Sequence, residues 1–296
     1  MKIAFTTLGC KLNYAETSTY QRAFVSAGWE VVPWSAQADV YLINTCAVTE
    51  TAEKKSRNYI RRAHKTNPDA RIVVTGCYAQ LRREQIQAIE GVWRVFGADE
   101  KQSLLGAVLE ASGGIVSQTH GHPRKFEGAL PPTIPRGSRT ISPSDPSSAV
   151  RSDERNEPAA HSDTTPSPSG NALSGTFGAY STGERTRSFL KVQDGCDNFC
   201  AYCTVPFARG RSRNIPICEC VKMAREIAAA GVKEVVLTGV NTGDFGRTTG
   251  ESFLDLLKAL NEVEGIERFR ISSIEPNLIT PEIVDWIASG TKTVLI

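Results

Sequence analysis

Phe189-Leu190-Lys191-Val192-Gln193-Asp194-Gly195-Cys196-Asp197-Asn198-Phe199-Cys200-Ala201-Tyr202-Cys203 reads as a β-strand that runs straight into a loop carrying three thiols. The spacing of that loop, CxxxCxxC, brings three thiolates together within a few residues. Soft thiolate ligands select zinc, copper(I) or iron–sulfur clusters. A cubane cluster has four irons, so three cysteines leave one iron unligated and able to bind a substrate or cofactor. Zinc usually takes paired CxxC hooks, or Cys with His, to close a tetrahedron. No histidine follows this loop anywhere in the chain, so the zinc reading lacks its fourth ligand.

Working outward, the basic run Arg209-Gly210-Arg211-Ser212-Arg213 follows the loop. Its guanidinium groups suit bidentate contact with carboxylate or phosphate, and a solvated loop is the plainer account. The pattern then alternates, with strands expected at 189–194, 234–237 and 268–272 and helices at 217–230, 253–263 and 281–288. Repeated βα units with functional loops at the strand C-termini describe a (β/α) barrel, whole or partial. Two further strand ends carry polar turns, Thr238-Gly239-Val240-Asn241 and Ser272-Ser273-Ile274-Glu275-Pro276. Gly239 permits close backbone approach, and Asn241 and Glu275 can hydrogen-bond an amine or a ribose; ordinary capped turns are the alternative. Cys218 and Cys220, after Pro216 at a helix start, read as structural.

Residues 1–116 show the same alternation. Strands are expected at 2–7, 39–44, 71–75 and 92–96, with a weaker one at 29–32, and helices at 14–27, 49–64, 82–90 and 103–110. This is the pattern of a small doubly wound, flavodoxin-like α/β fold. Cys10, Cys46 and Cys77 each follow a strand, beside the turn-forming neighbours Leu8-Gly9, Asn44-Thr45 and Gly76. Ligands bind beyond the carboxyl ends of the strands in an open parallel sheet, so these thiols are expected to converge as a second metal site. Free cysteine as a small buried filler is the competing account of each one taken singly. The helix at 49–64 carries Lys54, Lys55, Arg57, Arg61 and Arg62 behind Glu50 and Glu53, which suits the helix dipole on a solvated face or a phosphate-contacting face for RNA.

Between the halves, residues 117–182 hold Pro131, Pro132, Pro135, Pro143, Pro146, Pro158, Pro166 and Pro168 among serines, threonines and charges. Such a segment buries too little apolar surface to offset its ordering entropy, and a disordered linker is expected. His120, His122 and His161 in it have no partnered metal spacing. The chain as a whole has 296 residues, hydrophobic content of 40% and a net charge of +2, values ordinary for a globular protein with two cores. That charge is too small to argue for nucleic acid. Eight cysteines without a secretory signal point to a reducing compartment, and no apolar run approaches the roughly 20 residues that cross a bilayer, so a cytoplasmic location with no membrane partner is expected.

With those residues in view, the CxxxCxxC loop, with Tyr202 as the aromatic before the third cysteine, resembles the radical S-adenosylmethionine enzymes. Thr7-Leu8-Gly9-Cys10-Lys11-Leu12-Asn13, Asn44-Thr45-Cys46-Ala47-Val48-Thr49, Ala52-Glu53-Lys54-Lys55-Ser56-Arg57 and Thr75-Gly76-Cys77-Tyr78-Ala79-Gln80 resemble the methylthiotransferases of that group. The Gly-Cys-Lys-x-Asn form at Gly9–Asn13 is most similar to the branch that acts on threonylcarbamoyladenosine in tRNA, rather than on isopentenyladenosine or a ribosomal aspartate. The resemblance implies two 4Fe-4S clusters, a catalytic one on Cys196, Cys200 and Cys203 and an auxiliary one on Cys10, Cys46 and Cys77. It also implies S-adenosylmethionine bound near Tyr202, Gly239, Asn241, Ser273 and Glu275, and as partners tRNA, an electron donor such as flavodoxin or ferredoxin, and a sulfur donor. Only three complete βα units are expected before Ile296, about half what the family's radical domain needs. The resemblance therefore implies a chain truncated at its C-terminus, with the radical domain at 183–296 incomplete and the tRNA-binding β-barrel absent. A different class, an inactive iron–sulfur or RNA-binding fragment, is the rival that this feature motivates.

Overall fold

Every residue of Val40-Tyr41-Leu42-Ile43-Asn44-Thr45 is buried, which marks this strand as the centre of a sheet covered on both faces. The computed structural model describes residues 1–113, 176–182, 186–272 and 274–295. Ser273, the three histidines at 120, 122 and 161, and all of the expected linker except 176–182 lie outside the described residues. The first sheet comprises β1 (Lys2–Thr7), β2 (Glu30–Val32), β3 (Val40–Thr45), β4 (Arg71–Gly76) and β5 (Val92–Phe96) in the order β2-β1-β3-β4-β5, all parallel. That order is the flavodoxin-like one, with its switch point between β1 and β3.

Alternate side chains of these strands enter two cores. Ile3, Val40, Leu42, Val73 and Phe96 meet Tyr20 and Phe24 of α1 (Lys11–Ser26) and Leu104 and Val108 from the region of α5 (Leu104–Ala111). Ala4, Tyr41, Ile43, Ile72 and Val74 meet Ile60 and Ala63 of α2 (Glu50–Thr66), Tyr78 of α3 (Cys77–Leu81) and Ile86 of α4 (Arg83–Gln87). Each fully buried aliphatic or aromatic group contributes about 1.5–3 kcal/mol, so the strand pattern outweighs any surface pair in fixing this layer order. The helix expected at 82–90 is the shorter α4, and a further short helix, α3, begins at Cys77 directly after β4.

The second sheet comprises β6 (Ala179–Tyr180), β7 (Arg187–Lys191), β10 (Glu234–Thr238), β11 (Arg268–Ile271) and β12 (Thr293–Leu295) in the order β12-β11-β10-β7-β6. It is parallel apart from β6. The expected strand at 189–194 divides: β7 ends at Lys191, and β8 (Gln193–Asp194) turns to pair antiparallel with β9 (Arg213–Asn214). Helix α6 (Val205–Arg209) lies between those two short strands; α7 (Ile217–Ala229), α8 (Phe253–Asn261) and α9 (Pro281–Ala288) follow. Leu190, Val235, Leu237, Phe269 and Ile271 pack with Met223, Ala224 and Ile227 of α7 and Leu256, Leu257 and Leu260 of α8. One expectation needs correction here. Residues 176–182, placed in the linker, include β6, because Ala179 and Phe177 pack against Phe189, Val236 and Ala15. The tail after Gly290 continues the sheet, since Thr293-Val294-Leu295 pairs parallel with Phe269-Arg270-Ile271.

The opposite face of the second sheet rests on α1. Phe189 and Val236 pack with Ala15 and Tyr14, and the rings of Tyr14 and Phe189 meet edge to face at 5.8 Å. At the sheet edge the Thr19 hydroxyl and the Arg22 guanidinium donate to the Tyr180 carbonyl at 3.1 and 2.9 Å.

Candidate functional site

Strand register determines where Cys10, Cys46 and Cys77 fall. Thr7 pairs with Asn44 and Asn44 with Thr75, so three adjacent strands end level and the cysteines follow two or three residues later. The turns are drawn together by hydrogen bonds: the Leu8 N–H donates to the Asn44 carbonyl at 2.8 Å, and the Asn13 amide donates to Leu8 and Thr45 carbonyls at 2.8 and 3.0 Å. Gly9, at φ +106°, lies so close to Cys46 that a Cβ there would be 3.1 Å from its sulfur. Only glycine adopts that backbone and leaves that space. Cys46 and Cys77 are buried and Cys10 is exposed, which leaves one open side to the group. Burial pushes the Cys77 thiol pKa up, against the opposing pull of Arg209 and Lys101.

The loop holding Cys196, Cys200 and Cys203 is supported locally. The Cys196 N–H donates to the Gly210 carbonyl at 3.1 Å and the Cys203 N–H to the Cys200 carbonyl at 2.9 Å. Phe199 has φ +44°, unusual for a bulky residue and the kind of backbone that loops at functional sites hold. Its ring packs edge to face on Phe207 at 5.7 Å and under the Arg211 guanidinium at 4.8 Å. Tyr202 is 93% exposed. Among the described residues no group of three or more His, Cys, Asp or Glu side chains is arranged to hold a metal ion. Three cysteines at the ends of adjacent strands and three in one eight-residue loop make sulfur-only donor sets, the chemistry that iron–sulfur clusters take.

Beside the loop is a cavity of about 550 Å³ lined by Val240, Asn241, Ser272, Ile274, Glu275, Ile279 and Leu295. Asn241 is 4% exposed, and neither its amide nitrogen nor its amide oxygen meets a partner among the described residues. A buried amide left unpaired at a cavity wall is a donor and an acceptor waiting for a polar ligand. The Asn198 amide donates to the Glu275 carboxylate at 3.1 Å, which joins the cysteine loop to the cavity rim. Gly239 lies against Gln193, whose side-chain oxygen a Cβ would meet at 2.8 Å.

Gln193 was not singled out by the pattern, yet it braces the site. Its oxygen accepts from the N–H groups of Val240 and Asn241 at 2.8 and 3.0 Å, while its nitrogen donates to the Gly195 carbonyl at 2.8 Å. A second unforeseen feature is a buried ionic network. Glu16 of α1 pairs with Lys101 at 2.8 Å, Lys191 at 2.9 Å and Arg209 at 3.4 Å. Asp194 pairs with Lys191 at 2.6 Å, Arg209 at 2.8 Å and the half-buried Arg213 at 3.6 Å. Arg209 also donates to the Asn13 side-chain oxygen. Burial alone would raise the Glu16 pKa, but Lys101, Lys191 and Arg209 together hold it well below the usual carboxylate range. Asp194 is held down in the same way, chiefly by Lys191 and Arg209 against its burial. The signal that could have revealed the network was a lysine within the apolar run of β7.

The basic run therefore divides. Arg209 is buried structure, while Arg211 is exposed and reaches Asp197 at 3.5 Å. Cys220 is buried in the core of the second sheet, where burial raises its thiol pKa, and Cys218 is exposed. On α2, Lys54, Lys55, Arg61 and Arg62 are exposed, whereas Arg57 donates to the Tyr78 hydroxyl at 2.8 Å.

Residues 2–97 match the family model described as uncharacterized protein family UPF0004, and residues 190–296 match the radical SAM superfamily. The chain is 37% identical over 294 residues to the threonylcarbamoyladenosine tRNA methylthiotransferase MtaB of Bacillus subtilis, covering 99% of this chain and 55% of that protein. It is 32% identical over 292 residues to the protein of that name from Aquifex aeolicus, covering 99% and 60%. It is 29% identical over 291 residues to a tRNA-2-methylthio-N(6)-dimethylallyladenosine synthase of Geobacter metallireducens, covering 97% and 56%. The chain thus spans little more than half the length of these relatives.

Proposed function

We propose, starting from the premise that the chain belongs to the MtaB-like radical S-adenosylmethionine methylthiotransferases, that it adds a methylthio group to C2 of threonylcarbamoyladenosine beside the anticodon of tRNA. The observation that supports this most is the adjacency of the two three-cysteine places. Helix α3, opened by Cys77, packs against α6, which follows Cys203. In this reading Cys196, Cys200 and Cys203 hold one 4Fe-4S cluster and Cys10, Cys46 and Cys77 the other. Together with S-adenosylmethionine these groups supply hydrogen abstraction from an unactivated C–H bond, a methyl group and sulfur.

The chain's own residues bind and orient. Asn241 offers its unpaired amide to the amino acid end of the cofactor, and Glu275, tethered by Asn198, takes a ribose or amine. Ser273 completes that turn in sequence, Gly239 gives the backbone close approach, and Tyr202 presents an exposed ring beside the third cysteine. Holding the reacting atoms in line and away from water is how such a site gains rate. The partners of this reading are tRNA, a one-electron donor such as flavodoxin or ferredoxin, and a sulfur donor.

Anaerobic reconstitution with iron and sulfide, followed by iron counting and Mössbauer spectroscopy, tests the two sites. About eight irons per chain supports both, about four means one of them is misread, and zinc with no iron overturns the assignment. Nucleoside analysis of tRNA from a deletion strain tests the substrate. Loss of 2-methylthio-threonylcarbamoyladenosine is expected; its persistence, with loss of the methylthio isopentenyl nucleoside instead, moves the substrate to that of the Geobacter relative.

A further inference from the structure

The network around Glu16 holds more positive than negative charge. Lys101, Lys191 and Arg209 are buried, with Arg213 at the edge, and only Glu16 and Asp194 pair with them among the described residues. A surplus charge in the interior is costly unless a counter-charge lies within reach. The geometry directs attention to one place. Arg209 ends α6, which packs on the helix opened by Cys77, and its guanidinium bonds Asn13, three residues after Cys10. Lys101 shares the Glu16 carboxylate with Arg209, so both cations stand on this side of the network.

We propose that Arg209 and Lys101 carry the built-in counter-charge of an anionic metal–thiolate group at Cys10, Cys46 and Cys77, an inference that rests on the reading of those cysteines given above. An oxidised cubane core held by three thiolates is net anionic, and one-electron reduction makes it more so. The surplus cation therefore favours both loading of this site and its reduced state. A clamp that merely joined the two sheets would stabilise the empty and the loaded chain alike. That difference is measurable.

The experiment uses the full chain with Cys196, Cys200 and Cys203 replaced by Ala, so that only the other site takes up iron and sulfide. Iron content, the midpoint potential followed by electron paramagnetic resonance, and the Tm before and after reconstitution are compared in this parent and in its Arg209→Gln, Lys101→Met and Arg209→Lys forms. In the first two, the reduced-to-oxidised ratio at fixed potential is expected to fall at least tenfold, which is 59 mV for one electron, and the rise in Tm on reconstitution to shrink. Arg209→Lys keeps the charge and is expected to keep most of both. Lys101→Met carries the same measurement if Arg209→Gln does not fold. An unchanged potential and an unchanged Tm rise, with iron intact, overturns the counter-charge and leaves the cysteine reading standing. A parent that takes up no iron overturns both.

Discussion

The two three-cysteine places differ in how much of the chain is needed to build them. One occupies eight consecutive residues, is tied by its own backbone through Cys203 and Cys200, and lies largely exposed. The other takes one residue from each of three turns, and it exists only because β1, β3 and β4 end level and Asn13 binds two of those turns together. A contiguous loop brings its ligands together at little entropic cost, whereas the split place depends on the sheet, α1 and the buried network for its shape. Damage far from either set of thiols should therefore register at the split place first.

Glu16→Gln breaks the comparison most severely. It leaves three buried cations facing one carboxylate and should destabilise the chain by about 3–5 kcal/mol, read by urea unfolding. In the reconstituted protein, iron should be lost from the Cys10 side while the Cys196 loop still loads, as counted in chains carrying only one set of cysteines. Loss from both equally would show that the two are not separately supported. The same substitution sharpens the pH behaviour. The ordinary Glu value is 4.5 and the folded one lies well below it, so the ionised Glu16 stabilises the fold fully above about pH 4.5, and that contribution fades as pH falls towards the folded pKa. The Tm gap between the wild-type chain and Glu16→Gln should be widest at pH 7 and narrow steadily below pH 4.5; a gap that widens in acid would reverse the assignment.

Gly9→Ala is a smaller probe. The positive φ and the 3.1 Å approach to the Cys46 sulfur should together cost about 1–3 kcal/mol, with slower iron uptake at the split place alone. Thr49→Ala is the smallest. Its hydroxyl accepts from the Ala52 N–H at 3.1 Å as the N-cap of α2, and its loss should cost about 1 kcal/mol with iron content unchanged at both places.

Much of the first sheet was legible because apolar runs such as Ile72-Val73-Val74 alternate with helical stretches and end at Gly or Asn turns. From that alternation the flavodoxin-like order could be expected, and with it strand ends that place Cys10, Cys46 and Cys77 at one edge of the sheet. Less legible were elements of two or three residues. β6 and β12 are too short to carry a period, and they form because a neighbouring strand has a free edge. The division of the expected strand at 189–194 was hidden because Val192-Gln193-Asp194 looks like its continuation. Least legible was the network, since Glu16 and Lys191 are 175 residues apart and charges read from a pattern are assumed to face water. Asn241 was expected to meet a ligand, but only the cavity shows that its amide has no other partner.

Helix α1 presents Tyr20 and Phe24 to the first sheet, Tyr14 and Ala15 to the second, and Glu16 to cations from both. A helix shared in this way makes the two sheets cooperative partners in unfolding. If either sheet melts, the other loses part of its cover, and a charge buried against α1 loses its mate. Calorimetry of the chain should accordingly record one transition for both sheets.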